Sequence, residues 1–437
     1  MKILVWKDIT TKEKSAALCR PAIKQEDRSK AVRSIITQVR ERGDEALVEL
    51  TKKYDNVTVK KTLVSEKEFL SAEELISGSI KKSMSLAIAR LRNYHRICIP
   101  KNAMVNTSDG IICTKERRAI DKVGLYVPGG NAPLVSTLLM LAVPAKLAEC
   151  ETRIVCTPPD EKGEINPALL VAAKLCGIDT IFKVGGAQAI AAMAYGTKKI
   201  PKVHKIFGPG NAWVTTAKVM VSQDSHGAVI DMPAGPSEVF IIAEANANPE
   251  FIAADLLAQA EHGPDSQVMC VTTSADLAKS ISEQVTLQLE QLSRKEIVAQ
   301  SLKSSAIIVV KKLDTAFDIS NQYAPEHLIM HMEKAENYTH LITNAGAVFL
   351  GQWAPETIGD YLSGSNHVLP TYGYTKTHSA LSVQDFTKYI SFQSISPYGL
   401  QSLGSIAMQL AALEGLDAHK NAVAIRLHAL TKSSKTK

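Results

Sequence analysis

Four segments carry side chains whose types and spacing could do chemistry. Gln259-Ala260-Glu261-His262-Gly263 ends a helical stretch, and residues three apart share a helix face. Taken alone, a histidine there could simply complement the helix dipole. Ala324-Pro325-Glu326-His327-Leu328 sets a carboxylate beside an imidazole, a pairing suited to proton transfer because histidine titrates near neutral pH. His331 follows at helical ligand spacing, but the glutamate lies outside the His327/His331 pair. An H-E-x-x-H site is therefore absent, and the His331 ring is expected on the surface. Glu356 to His367, through Asp360, reads as a loop whose charged groups are either ligands or caps. Glu414 and His419 sit in a helical stretch, as site residues or as an exposed face. Gln259, His262, Asp360 and His419 form a nitrogen and oxygen donor set without thiolate, which suits zinc or another first-row divalent ion. Spacing leaves open whether the four converge.

Three glycine turns follow β-type runs: Pro128-Gly129-Gly130, Gly185-Gly186 and Gly208-Pro209-Gly210. Ligands bind at the carboxyl ends of parallel strands beside helix N-termini, and glycine lets backbone N–H groups approach an anion closely. A pyrophosphate crevice is one reading; tight strand-to-helix turns are the other. Neither G-x-G-x-x-G nor a Walker A string occurs. Gln188 and Asn211, just inside the following helices, favour binding.

These residues need elements to position them. The first hundred residues pattern as helices, with Val32, Ile35, Ile36 and Val39 on one face. From Val123 onward, β-type runs alternate with helical stretches, as in a parallel sheet with covering helices. The alternation resumes at Glu238–Ala243, which predicts a second α/β half and a boundary near residues 232–237. The expected fold is α/β, with two Rossmann-like parallel-sheet domains and small helical N- and C-terminal appendages. Residues 1–25 form an N-terminal arm. Residues 26–122 and 238–380 are expected to form the domain that carries the Gln259, Glu326 and Glu356 segments, 123–237 the domain that carries the glycine turns, and 381–437 a C-terminal helical appendage.

Composition narrows the function. The 437 residues predict roughly two to four domains, and 45% hydrophobic with 22% charged residues is ordinary for a globular protein. No uncharged apolar run is long enough for a membrane span, and no signal-peptide core opens the chain; a cytoplasmic location is expected. A net charge of +6, partly in the tail, is weak ground for nucleic-acid binding. The seven cysteines have no C-x-x-C spacing and read as reduced thiols.

Several strings together resemble the histidinol dehydrogenase family over nearly the whole chain: GLYVPGGNAPL from Gly124, VGGAQAIAA from Val184, KIFGPGNA from Lys205, IDMPAGPSE from Ile230, QAEHGPDSQ from Gln259, APEHL from Ala324, GSNHVLPT from Gly364 and AHKNA from Ala418. The resemblance implies an intertwined homodimer that contains zinc and uses NAD⁺. It implies two successive oxidations of L-histidinol, through L-histidinal to L-histidine, the last step of histidine biosynthesis. It puts metal ligands at Gln259, His262, Asp360 and His419, the last from the partner subunit. It puts the catalytic pair at Glu326 and His327, and NAD contacts at Tyr126, Gln188 and Asn211. Substrate contacts fall at Ser237, Glu356, His367 and Glu414, besides the ligands and His327. Asn131 stands where many relatives carry Ser or Thr.

Under this reading His327 takes the alcohol proton, Glu326 activates the water that hydrates the aldehyde, and the metal orients the substrate. A rival mechanism would hold the aldehyde on Cys113 or Cys150, although neither has the setting of a low-pKa thiol. Rival functions are a paralogous zinc and NAD dehydrogenase of another small alcohol, such as a sulfonated diol, and a non-catalytic zinc-binding protein.

Overall fold

The computed structural model describes residues 1–21, 26–59, 61–129, 134–232 and 235–434. Gly130, Asn131 and the Pro133 helix start fall outside the described residues, as do Pro233 and Ala234 at the expected domain boundary. The chain divides into two compact units, one of Met1–Ile99 with Ile120–Phe386, the other of Pro100–Ala119 with Thr387–Lys437.

The described strands, in chain order, are β1 (Lys2–Val5), β2 (Ala103–Ser108), β3 (Ile111–Ala119), β4 (Lys122–Tyr126), β5 (Thr152–Thr157), β6 (Ile181–Lys183) and β7 (Lys205–Phe207). They continue with β8 (Val229–Ile230), β9 (Glu238–Ala243), β10 (Gln267–Thr272), β11 (Ala306–Val309), β12 (His327–His331), β13 (Ala347–Leu350) and β14 (Thr387–Ile395). The first unit holds two all-parallel sheets, ordered β6-β5-β4-β7-β8 and β1-β11-β10-β9-β12-β13. Both wind alike. The chain runs outward from a central strand, β4 or β9, then returns to the other side of it with β7 or β12. Such a reversal opens a crevice between the central strand and its returning neighbour. Strands β9 and β10 are buried at every position, as expected where helices cover both sheet faces.

The helices of residues 26–97 differ from expectation. Expected with the second α/β half, they pack instead on the five-stranded sheet. Val32, Ile35, Val39 and Leu47 share a core with Ile190 and Ile206, while Met84 and Leu91 share one with Leu138 and Val171. The six-stranded sheet is already covered, by Ile252, Leu256 and Ile281 on one face and by Phe317, Ile319 and Tyr323 on the other. Only the open faces of the first sheet were left for those apolar stripes. The N-terminal arm is likewise not wholly helical, since β1 pairs with β11. The C-terminal stretch is not a pure helical appendage either. β14 pairs antiparallel with β3, and β2 with β3, to give a three-stranded sheet in the second unit, followed by helices Pro397–Leu413 and Asp417–Ser434. Residues 103–119 alternate too weakly in burial to announce strands.

One buried contact positions the loop that carries His367. Asn366 donates to the Met140 carbonyl at 2.8 Å and lies 3.4 Å from His95 Nε2, while its Oδ1 accepts from Val368 N at 2.9 Å. Burial lowers the His95 pKa to about 4. The folded state therefore resists protonation of this imidazole, whose unfolded pKa is about 6.5. Its contribution is fully present above that value and is lost as pH falls towards 4. Between those limits His95→Gln should lose less Tm than the unsubstituted protein as pH falls; identical pH profiles would contradict this account.

Candidate active site

The two sheets meet at a cleft of about 1100 Å³ within the first unit. The five-stranded sheet presents its carboxyl edge: Tyr126 ends β4, Gly186 follows β6 and Gly208 follows β7, and all three line the cleft. The six-stranded sheet presents its amino edge: Ser237 precedes β9, Ser266 precedes β10, and Glu326 leads into β12.

The glycine turns are held from behind. Tyr126 is buried, and its hydroxyl accepts the Gly186 N–H at 3.0 Å. Gly208 has φ +120°, and a Cβ there would sit 2.1 Å from the Tyr126 carbonyl oxygen, so only glycine fits. Asp231 accepts the Gly208 N–H at 2.7 Å, Lys218 donates to the Gly208 carbonyl at 2.8 Å, and Lys218 pairs with Asp231. Both partners of this ion pair are buried. Gln188 is buried in the first turn of helix Gly186–Tyr195. Asn211 caps helix Ala212–Ser222, its Oδ1 accepting from Trp213 and Val214 at 3.0 and 3.2 Å, which leaves its amide nitrogen for the cleft.

Across the cleft lies a cluster of acids and imidazoles. Helix Pro249–Ala260 follows β9 and runs back, so its C-terminal end brings Gln259 and His262 to the amino edge of the sheet. Residues Glu356–Tyr361 form a short helix rather than a loop, placing Glu356 and Asp360 one turn apart. His262, Glu356 and Asp360 hold their ligand atoms within 4.8 Å of one another. Gln259 is buried, and with its amide nitrogen facing Glu356 it donates to both carboxylate oxygens. His327 Nδ1 lies 3.1 Å from the Glu238 carbonyl oxygen, 3.6 Å from Glu356 and 3.7 Å from Glu326; its Nε2 lies 4.0 Å from Asp360. Glu326 Oε2 accepts the Glu238 N–H at 2.8 Å.

Burial dominates the electrostatics. It drives the Glu326 and Glu356 carboxyls well above the usual range, helped by neighbouring carboxylates, and raises Asp360 to about 7. It lowers His327 to about 3 and His367 to about 4. Burial also lowers His262, which lines the cleft. His327 Nε2, Asp360 Oδ1 and His367 Nε2 are buried polar atoms without a protein partner, and buried polar groups are normally satisfied. Imidazole nitrogen lone pairs beside carboxylates whose ionised forms repel one another make a donor set that fits a divalent cation.

Of the expected site residues, the first unit brings Tyr126, Gln188, Asn211, Ser237, Gln259, His262, Glu326, His327, Glu356, Asp360 and His367 to this one cleft. Glu414 and His419 belong to the second unit, where both are exposed at the join of its two long helices. His331 departs from expectation. It is 2% exposed, with Nε2 2.8 Å from Asp255 Oδ2. It lies on a strand, so it shares the His327 face by two-residue alternation, and that strand is buried on both faces. Sequence reasoning also gave no role to Glu238, Lys218 or Asp231. Glu238 and Asp231 stand inside a string that carries the family resemblance, which was the only signal for them.

Fold and site describe an α/β protein with a glycine-turn crevice facing a cluster of carboxylates and imidazoles whose donor set fits a cation. The profile of the histidinol dehydrogenase family matches residues 18–427. The histidinol dehydrogenase of Vibrio parahaemolyticus is 50% identical over 434 residues, covering 99% of this chain and 100% of the relative. That of Legionella pneumophila strain Paris is 51% identical over 430 residues, covering 97% and 98%. The crystal structure of the histidinol dehydrogenase from Elizabethkingia anophelis superposes with TM-score 0.94 at 44% identity, covering 99% of each chain. The chain belongs to the histidinol dehydrogenase family, and is accordingly an NAD-dependent oxidoreductase acting on histidinol.

Cys150 is buried, its thiol pushed up to about 11, and Cys113 lies in the second unit. No cysteine is among the described cleft residues. A Cys113→Ala, Cys150→Ala double variant should therefore keep aldehyde oxidation; its complete loss in a folded protein would restore the thiohemiacetal route. Lys218→Met should destabilise the protein by about 3–5 kcal/mol by leaving Asp231 uncompensated, readable by urea denaturation, with Kd for NAD⁺ rising.

Proposed function

We propose that this cleft carries out both oxidations, L-histidinol to L-histidinal and then to L-histidine, with two NAD⁺ and one water consumed. The observation that carries the reading is the convergence of His327 Nε2, Asp360 Oδ1 and His367 Nε2, all buried without protein partners, opposite the glycine turns. Read with the winding order, the two sheets are Rossmann-like halves, with the dinucleotide along the carboxyl edge at Tyr126, Gln188 and Asn211. NAD⁺, when bound, accepts the hydride.

The Nδ1–H of His327 donates to the Glu238 carbonyl, which leaves Nε2 as the free base facing the cleft. That nitrogen takes the hydroxyl proton as the hydride departs. Glu326 then draws a proton from the water adding to the aldehyde while His327 returns its proton to the carbonyl oxygen, and the hydrate loses its second hydride with the neutral His327 again as base. Gln259, His262 and Asp360, with His419 of the partner subunit, would hold zinc, which supplies a Lewis-acidic anchor for imidazole and amine nitrogens. Ser237, Glu356 and His367 flank the substrate, and Glu414 completes the pocket. Carboxylates at Glu326, Glu356 and Asp360 suit a cationic amino alcohol and disfavour a sulfonated diol.

Support for a homodimer comes from the second unit, where Leu403, Ile406, Leu410 and Leu413 are exposed on one helix and Ile390 and Phe392 on β14. An apolar face of this kind on a single chain marks an interaction surface. Glu414 and His419 adjoin that helix and would be delivered to the partner's cleft. The free cysteines support a cytoplasmic location.

Purified enzyme should yield two NADH per histidinol and lose activity on removal of zinc; turnover of another alcohol but not histidinol would overturn the assignment. His327→Ala should abolish turnover while zinc stays bound. Mixing inactive His327→Ala and His419→Ala dimers under exchanging conditions should restore activity, because one site of the mixed dimer is intact; no recovery despite subunit exchange would place His419 in its own subunit's site.

A further inference from the structure

Glu238 opens β9, is 1% exposed and lies outside the cleft lining. Its backbone serves both members of the acid–base pair: the N–H donates to Glu326 and the carbonyl faces His327 Nδ1. Its side chain is gripped in turn. Arg20 donates to it from Nε at 2.5 Å and from Nη2 at 2.9 Å, and the Tyr372 N–H donates to Oε1 at 2.9 Å.

Arg20 holds a second element. Its Nη2 donates to the carbonyls of Tyr323 at 2.8 Å and Ala324 at 3.2 Å, and its guanidinium sits 4.0 Å from the Tyr323 ring centroid. Ala324 has φ +55°, a left-handed conformation that an alanine keeps only when its surroundings impose it. The next residues are Pro325, Glu326 and His327. One guanidinium thus spans the strained entry to the acid–base pair and the residue whose backbone orients that pair.

We propose that Arg20 is a positioning residue for the reaction, holding Ala324 and Glu238 in register so that Glu326 and His327 meet the substrate correctly. The proposal rests on the reading of those two residues as the acid–base machinery. A planar fork serves several acceptors at fixed angles, which a lysine ammonium cannot reproduce. Removing the guanidinium alone leaves Glu238 buried and uncompensated and lowers stability whatever its role, so the mark of positioning is a kcat loss in folded protein, not a thermal shift.

The test is steady-state kinetics on zinc-loaded Arg20→Lys and Arg20→Met, with zinc content and thermal melts confirming the fold. For Arg20→Met, kcat should fall about a hundredfold, the scale of a small misplacement of reacting groups, and Arg20→Lys should recover part of it. KM for histidinol and NAD⁺ should stay within about twofold, the mark of an interaction realised in the transition state. Adding Glu238→Gln to Arg20→Met should not multiply the loss, since both act through one network. Wild-type kcat in a folded Arg20→Lys, or a raised KM with unchanged kcat, would overturn the proposal, and the lysine variant decides if the methionine variant does not fold. His327→Ala is assayed beside them. Turnover surviving there defeats the acid–base reading itself, whereas an inactive His327→Ala beside a fully active Arg20→Lys defeats only the role of Arg20.

Discussion

Strand β12 lies beside β9 in parallel register, with His327 opposite Val239. Much of the site depends on this pairing. It places the start of one strand against the start of the other, so Glu238 can donate to Glu326 and accept from His327 through the main chain alone. Main-chain groups at the head of a buried parallel strand have little freedom, because the ladder behind them is hydrogen-bonded and packed on both faces. The acid–base pair inherits that rigidity and with it one imidazole tautomer. Preorganisation of this kind is where an enzyme gains rate without paying for reorganisation during the reaction.

The same pairing creates an electrostatic problem. Glu326, Glu356 and Asp360 are brought together away from water; burial raises all three carboxyls, and repulsion adds to it at Glu326 and Glu356. The protein supplies little positive charge to them: Gln259 offers a neutral amide, and the imidazoles resist protonation. On the proposed reading, a divalent cation and a cationic substrate would match the ionised form of this cluster. Opposite it, the N-terminal ends of helices Gly186–Tyr195 and Ala212–Ser222 favour an anion through their dipoles. One cleft therefore has two electrical characters, set by the carboxyl edge of one sheet and the amino edge of the other.

Buried polar pairs support both walls: the Lys218–Asp231 ion pair under the Gly208 turn, the His331–Asp255 contact between β12 and the Gln259 helix, and the Arg20–Glu238 ion pair. Such pairs are poor sources of net stability, since desolvation offsets much of their attraction. Their value here is directional. Each ties a site-bearing turn or strand to a neighbouring element, so the distances across the cleft are set by hydrogen bonds of fixed geometry rather than by apolar contact alone.

Much of this was legible in the residues. Alternating β-type and helical runs from Val123 onward located both parallel sheets, and eleven of the residues expected to carry chemistry, from Tyr126 to His367, line one cleft. Those signals are local: side-chain periodicity follows from backbone geometry, and an acid beside an imidazole is visible in any chain. Other features were not local. The helices of residues 26–97 look the same whichever sheet they cover, and their place follows from which face other helices left bare. His331 looked exposed because spacing counts residues along a chain, whereas burial depends on what packs across it. Glu238 looked like one more strand residue until β12 arrived beside it, and Arg20 lies 218 positions away from the carboxylate it grips. Residue types and their periodicity named the chemistry and the elements; the sheet order chose which groups stand within hydrogen-bond reach, because such contacts depend on distances in space that periodicity does not encode.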